Sequence, residues 1–423
     1  MRLTPDPRCS GGLAPLYLAR AADALASTTA TYAIPLLVLL TTGSTALTGI
    51  AFLLEWTPRL AAFTFAGSLA DRFGAGHVFR YTNFVRATMV ALAAGLLTVL
   101  PGAGTATTTV VLAFGAVSGL LAEVSFVAVE TLAAEAGRHL GDQAHRVQAA
   151  QTGIDQGAVL VGPLLGGVLL LAGPSVLLAV VALLAMTAAA ATPGDSVPAD
   201  AQHAPSSLLT GWRTLRRTPA LAWLIGGLAA SNLASGVLQA AAPITVIHRF
   251  GYSTASVGAV WSAAAVASLL TVIAARKAID RWSVWPVGAV AAAVSTLACF
   301  GVALAPGFAA YTAAVAVLMA AEGALTVVLR TLRARLIPAT AFGSTLAVTI
   351  IVVLLPLPVA GALVAVVPAS GLPHLLLACA AGQGVVLTAC FRGLRRHRAA
   401  CEPPPSRVLA AHRREPVQPV DAP

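Results

Sequence analysis

Seven charged side chains interrupt runs that are otherwise apolar: Arg20 and Asp23, Glu55 and Arg59, Glu123, Asp155 and Glu322. At the centre of a membrane helix each costs about 2.5–3.5 kcal/mol on insertion scales, so each needs a partner or a function. Arg20 and Asp23 are spaced i,i+3 and Glu55 and Arg59 i,i+4, which lets each pair neutralise itself on one helix face. Glu123 and Glu322 have no basic residue within one turn. Low dielectric penalises the ionised form of a carboxyl, so such a group can keep a proton in one conformation and release it when water arrives in another. That chemistry is proton coupling, with Glu123 the first candidate, Asp23 the second and Glu322 the related position later in the chain. The alternative role for each is a hydrogen-bonded structural acid. Asn232 and Gln239, seven residues apart and so on one helix face, suit a cavity wall together with Glu55 and Arg59; interhelical hydrogen bonding explains them equally well. Trp56, Phe126 and Trp261 offer aromatic surface for a hydrophobic substrate, or anchors at the membrane interface. Asp155 falls near an inner helix end and belongs with a cytoplasmic charge cluster.

The elements that must hold these residues are membrane helices. The chain has 423 residues, 58% apolar and 10% charged, with a mean hydropathy of +0.85. That excludes a soluble enzyme, and excludes intrinsic disorder for most of the chain. In a bilayer all backbone polar groups must be satisfied within the segment, so the apolar runs read as helices. Twelve are predicted: 14–41, 45–70, 78–100, 107–133, 147–171, 174–192, 219–247, 254–275, 284–305, 308–330, 340–366 and 371–391. With the N-terminus inside, the inner connections hold Arg72, Arg80, Arg138, Arg146, Arg213, Arg216, Arg217, Arg276, Lys277, Arg281, Arg333 and Arg335, whereas the outer turns hold only Arg249. Basic residues gather on the cytoplasmic side, so this asymmetry places both termini in the cytoplasm of a multi-pass cell-membrane protein. It also accounts for the net charge of +10 without a nucleic-acid partner. No signal core precedes the first apolar run, so the first helix itself targets the chain. The five cysteines have no C-x-x-C spacing and imply no disulfide framework.

The expected domain plan is a cytoplasmic segment 1–13, a six-helix bundle 14–192, a Pro- and Ser-containing linker 193–218, a second six-helix bundle 219–395, and a disordered basic tail 396–423 with possible contact to anionic lipid. The halves echo each other. LADRF at 69–73 matches AIDRW at 278–282, and LLAEVSFVAVETL, with Glu123 and Thr131, matches LMAAEGALTVVLRTL, with Glu322 and Thr331. The offset is about 200 residues each time, the mark of a transporter built from repeats.

The most specific segment is GSLADRFGAGHVFR, residues 67–80. Gly67 would admit a neighbouring helix, Asp71 and Arg72 sit where the helix leaves the lipid, and Gly74 permits a tight turn. This pattern resembles the signature loop of the major facilitator superfamily, close to G-x-L-x-D-R-x-G. The resemblance implies a conformational latch at Asp71 and Arg72, with Glu130 or Glu135 as partner, that stabilises the outward-facing state. RAADALASTTATYAIPLLVLLTTGS at 20–44, with Pro58 and the loop, is similar to the exporter branch containing macrolide-efflux and enterobactin-type exporters. A Gly-Asp pair common in helix one of that branch is Ala26-Ser27 here, with an acid one turn earlier at Asp23. GAVLVGPLLGG at 157–167 carries Gly162, Pro163, Gly166 and Gly167. Its Pro frees a backbone carbonyl and its glycines leave room for a neighbour, as packing alone would also require; its G-P-x-x-G-G core resembles the antiporter motif of superfamily exporters.

No G-x-x-x-x-G-K-[ST] loop, H-E-x-x-H or G-x-S-x-G occurs, the sole lysine is Lys277, and the histidines lack metal-ligand spacing. The expected protein is therefore an all-α integral membrane protein of two pseudo-symmetric six-helix bundles and not an enzyme. It would need no metal or cofactor beyond a proton gradient and would work as a monomer among membrane lipids. The expected function is export of an amphipathic antibiotic or secreted metabolite by proton antiport through alternating access. Proton-coupled nutrient import, and a non-transporting receptor or assembly factor on the same fold, are the alternatives.

Overall fold

The computed structural model describes residues 13–99, 104–140, 144–192, 208–337 and 342–398. The first half comprises α1 (Ala14–Thr42), α2 (Thr45–Phe73), α3 (Ala75–Val99), α4 (Thr105–Leu140), α5 (Ala144–Ala172) and α6 (Pro174–Ala191). A short α7 (Leu208–Arg217) then precedes α8 (Pro219–Ile244), α9 (Thr254–Trp282), α10 (Val284–Leu304), α11 (Phe308–Leu336), α12 (Phe342–Leu354), α13 (Pro356–Val366) and α14 (Leu372–Arg396). No strand occurs among the described residues.

Among these residues, 11 helices are long and apolar enough to cross a membrane, α12 and α13 counting together. The twelfth bundle member is α2, whose Glu55, Arg59, Asp71 and Arg72 lower its apolarity although it is 29 residues long. The eleventh expected helix is broken, because Pro356 and Pro358 cannot donate to the preceding turn and the chain restarts at Pro356. The stretch expected to be linker contains α7. Leu209, Trp212 and Leu215 recur at helical spacing against Arg213, Arg216 and Arg217, and Leu215 is buried while the arginines are exposed. The last predicted helix, 371–391, runs further: α14 continues through Arg396, its Arg395 and Arg396 favourably placed at the negative end of the helix dipole. Residues 193–207 and 399–423, most of the expected linker and tail, lie outside the described residues.

Local chemistry sets the turns. α1 ends on Gly43, whose φ of 62° no β-carbon opposes, and α2 starts where the Ser44 hydroxyl accepts from the Leu47 N–H at 3.2 Å. Gly74 has φ 83° in the α2–α3 turn. Within the first half α1 packs on α5 and α6, α2 on α4, and α3 on α4 and α6; within the second, α9 and α10 pack on α11, and α14 on α8 and α10.

The halves meet through α5 on α9 and α2 on α13. A β-carbon at Gly361 would stand 2.6 Å from the Leu53 nitrogen and 2.8 Å from the Gly49 carbonyl oxygen, so the α2–α13 crossing is backbone against backbone. Ser262 donates to the Leu160 carbonyl at 2.6 Å and Thr254 to the Gly167 carbonyl at 2.8 Å, tying α9 to α5. These contacts involve the start of α2, the end of α13, the end of α5 and the start of α9. They all lie away from the end that bears the chain termini. The halves are thus apposed at that far end. We expect Gly361→Leu to force them apart there: spin labels at Ala46 and Ser370 should report longer separations than in the parent, and an unchanged distribution would show that the glycine crossing does not set the closure.

Candidate functional site

Between the halves lies a cavity of about 490 Å³. Its wall comes mainly from the first half: Arg20, Asp23, Ser27, Thr31 and Tyr32 of α1, Trp56, Arg59 and Phe63 of α2, Glu123 and Phe126 of α4, and Asp155 and Val159 of α5. Gln239 of α8 and Leu354 of α12 complete it from the second. Trp261, expected in the same wall, packs behind it on Tyr32 at a ring separation of 5.3 Å.

The charges are wired across helices. Arg20, 1% exposed, donates to both carboxylate oxygens of Asp155 at 2.7 and 2.6 Å and to Glu130 at 3.1 Å, with the Phe126 ring 4.9 Å from its guanidinium carbon. The self-neutralising Arg20–Asp23 pair expected from i,i+3 spacing is therefore not the pairing formed; a long side chain pointing towards α4 and α5 finds better, bidentate geometry there. Asp23 instead faces Arg86 of α3 at 3.5 Å and accepts from Ser125 of α4 at 2.9 Å, and Ser125 in turn accepts from Asn83 at 2.7 Å. Arg86 also donates to Ser27 at 2.8 Å. The Glu55–Arg59 pair does form on one helix, at 3.0 Å, with Arg59 bonded to Thr31 at 2.6 Å and held over the Trp56 ring at 4.7 Å.

Glu123 differs from all of these. It is half-buried, lines the cavity, and makes no hydrogen bond or ion pair among the described residues. Glu322 lies away from the cavity wall. Its carboxylate accepts from Ser295 of α10 and from Gln383 of α14 at 2.9 Å, and the Gln383 amide nitrogen also reaches Ser295 at 2.7 Å and Ser231 of α8 at 3.4 Å.

A profile of the Major Facilitator Superfamily matches residues 16–355. The chain belongs to that superfamily. It is accordingly a multi-pass membrane transporter. No curated protein sequence matches it. Among solved structures, a bacterial homologue of the iron transporter ferroportin in its inward-facing state aligns with a TM-score of 0.70 at 13% identity, covering 89% of this chain and 98% of that one. A bacterial homologue of the human lysosomal transporter Spinster, inward-facing and occupied, gives 0.69 at 14%, covering 95% and 100%. The nucleoside transporter NupG gives 0.68 at 11%, covering 90% and 99%. At such identities the likeness is one of fold.

The segment that resembles the superfamily's signature loop sits at the terminus-bearing end of the bundle, across the α2–α3 turn. Asp71 and Arg72 are exposed, Arg72 against the Phe73 ring at 5.3 Å, and a β-carbon on Gly67 would meet nothing within 4 Å. In this conformation no neighbouring helix packs on Gly67, and Glu130, one of the two partners that the resemblance implies for the latch, is engaged by Arg20. The side chain of Glu135 lies outside the described residues. In α5, β-carbons at Gly162 and Gly166 would meet Thr28 and Thr29 of α1, and one at Gly167 would meet α9, so this segment seats α5 against both halves. Thr28 donates to the Ala158 carbonyl at 3.1 Å, next to the Val159 carbonyl that Pro163 deprives of its N–H partner. Asn232, expected in the cavity wall, donates instead to the Val353 carbonyl at 2.7 Å, meeting an acceptor at the break between α12 and α13. Arg86, Asn83 and Ser125 were not singled out from sequence. Arg86 stands in GHVFRYTNFVRATMV, where polar residues mark a helix start, and only its depth among α1, α3 and α4 reveals its task.

Proposed function

We propose that this transporter exports an amphipathic, cationic small molecule in exchange for protons, through alternating access. The observation that carries the reading is Glu123, a carboxyl without a hydrogen bond or ion pair among the described residues, in an aromatic-walled cavity between the halves. The surrounding acids Asp23, Glu55, Glu130 and Asp155 are bonded to only three arginines, Arg20, Arg59 and Arg86, with Arg20 shared between Glu130 and Asp155. Glu123 widens that excess to five acids against three bases, so the site favours a bound cation, and Trp56, Phe63 and Phe126 supply apolar and π surface to its body. A proton and a cationic substrate compete for one carboxylate, and that competition is the physical basis of exchange.

The seating of α5 on α1 and α9 by its G-P-x-x-G-G segment supports export. The gathering of Arg72, Arg213, Arg216, Arg276 and Arg395 at the terminus-bearing end supports a cytoplasmic location for that end in the cell membrane. The conformation then has its cavity directed to the cytoplasm, with Asp71 and Arg72 released from the latch they would form when that end closes. Asp23 and Glu322 stand as secondary proton sites, each already held by hydrogen-bond donors.

The test is proton movement in inside-out vesicles containing the protein and energised to an acidic lumen. Amphipathic amines and quaternary cations should discharge the gradient, with neutral analogues much weaker and empty vesicles silent. Discharge by neutral nutrients alone would replace this reading with import, and silence to every compound from folded protein would favour a receptor.

A further inference from the structure

We propose that the outer groove between α10 and α14 holds an acyl chain of an anionic phospholipid whose phosphate is met by Arg392 and Arg395. This site is separate from the transport cavity and independent of the exchange mechanism. The groove has a volume of about 490 Å³, and its wall includes Ala289, Ala293, Leu297, Gly384 and Phe391. The two helices touch at the midplane, where a β-carbon on Gly384 would come within 2.8 Å of Thr296. From there small side chains leave a channel running to the terminus-bearing end. Its lining of alanines, Gly384, Leu297, Leu387 and Phe391 is apolar below the two arginines, as a hydrocarbon chain requires. At its mouth stand Arg392 and Arg395, spaced i,i+3 on one face of α14, exposed, and without a hydrogen bond or ion pair to their guanidinium groups among the described residues.

The pseudo-symmetric groove of the first half shows what is particular here. Between α3 and α6 lies a groove of about 530 Å³ lined by Ala87, Thr88, Ala91, Leu92, Leu183 and Met186 among others, with no charged residue. Its α6 ends at Ala191 without a basic residue in its last turn, whereas α14 extends to Arg396. The cation at the same end of the first groove, Arg80 of α3, is tied to the Thr192 carbonyl at the end of α6 at 3.2 Å, whereas Arg392 and Arg395 line the second groove and keep their guanidinium groups unbonded among the described residues. Two guanidinium forks within one turn suit a phosphate diester whose charge is not offset by an amine, so phosphatidylglycerol is favoured over phosphatidylcholine.

The experiment is native mass spectrometry of the full chain in neutral detergent, titrated with phosphatidylglycerol and phosphatidylcholine of identical chains. The parent should retain phosphatidylglycerol with roughly thirtyfold preference. Arg392→Gln/Arg395→Gln should bring that preference close to unity. Ala293→Phe, which fills the channel but keeps both arginines, should lose phosphatidylglycerol retention, while Ala91→Phe in the twin groove should not. Should the double arginine variant fail to fold, the contrast between Ala293→Phe and Ala91→Phe decides alone. The proposal is overturned if the double variant keeps the preference, if Ala293→Phe binds like the parent, or if soluble glycerophosphoglycerol competes as well as the lipid.

Discussion

Arg86→Met should cost about 3–5 kcal/mol of stability, the penalty expected when one partner of a buried ion pair is removed and the other is left behind. Arg86 is 1% exposed and Asp23 2%, and the two lie 3.5 Å apart between α3 and α1. Without the guanidinium, the Asp23 carboxylate keeps the Ser125 hydroxyl as a donor but loses its ion-pair partner, and Ser27 loses its bond to α3. Asp23 must then either remain ionised without a counter-charge or take up a proton. Asp23→Asn/Arg86→Met should recover most of the loss, because the isolated charge, not the missing attraction, dominates the cost. Thermal unfolding of the detergent-solubilised protein measures both variants. A single variant as stable as the parent, or a double variant worse than the single, would remove Arg86 from its role as the counter-ion of α1.

That pairing shows where sequence reading reaches its limit. The helices were legible because lipid imposes a one-dimensional rule, length of apolar run, and because arginine positions mark one end of each pass. The breaks were not: apolarity continues smoothly through 340–366, so only the prolines of LPLP told of a restart, and Pro is common enough in membrane helices to leave that open. Spacing finds partners on the same helix and is blind to those on neighbours. It therefore found Glu55–Arg59, which needs only α2, and missed Arg20–Asp155 and Asp23–Arg86, which need α1 set against α5 and α3. Arg20 has an acid one turn away and passes it over, since a fork bound to both oxygens of Asp155 outweighs a strained i,i+3 reach.

Internal repetition adds a second lesson. Asp23, Asn83 and Ser125 of α1, α3 and α4 form one polar cluster, and Ser231, Ser295 and Glu322 of α8, α10 and α11, the corresponding helices of the second half, form another with Gln383. The repeat conserves the place where polar groups meet but moves the acid, from α1 in the first half to the fourth helix in the second. The sequence match between Glu123 and Glu322 thus pairs residues with different surroundings. One faces the cavity alone, and the other is held by two donors away from it. Only the first is free to exchange partners as the halves move.

For that reason Glu123→Gln should uncouple transport rather than merely slow it. The amide has the shape of the protonated carboxyl and carries no charge, so the variant can rock between states without taking a proton. In the parent, the ionised group must first be neutralised by a proton or a cationic substrate, since carrying an unpaired charge through a closed, water-poor state costs about 2.5–3.5 kcal/mol by insertion scales. Substrate-driven loss of the proton gradient should fall to the level of empty vesicles. Affinity for a cationic substrate should also fall, roughly a hundredfold: a unit charge 4 Å away is worth about 4 kcal/mol at an effective dielectric near 20, part of which is returned as desolvation of the cation. Neutral analogues should bind the parent and the variant alike. Glu123→Asp, which keeps the charge on a shorter arm, should retain coupling at lower affinity, separating loss of charge from loss of shape. Gradient loss that survives Glu123→Gln would move the proton site to Asp23, the other acid of the cavity wall that is not bonded to Arg20. In that case the Asp23–Arg86 pair would itself have to open and close with each cycle.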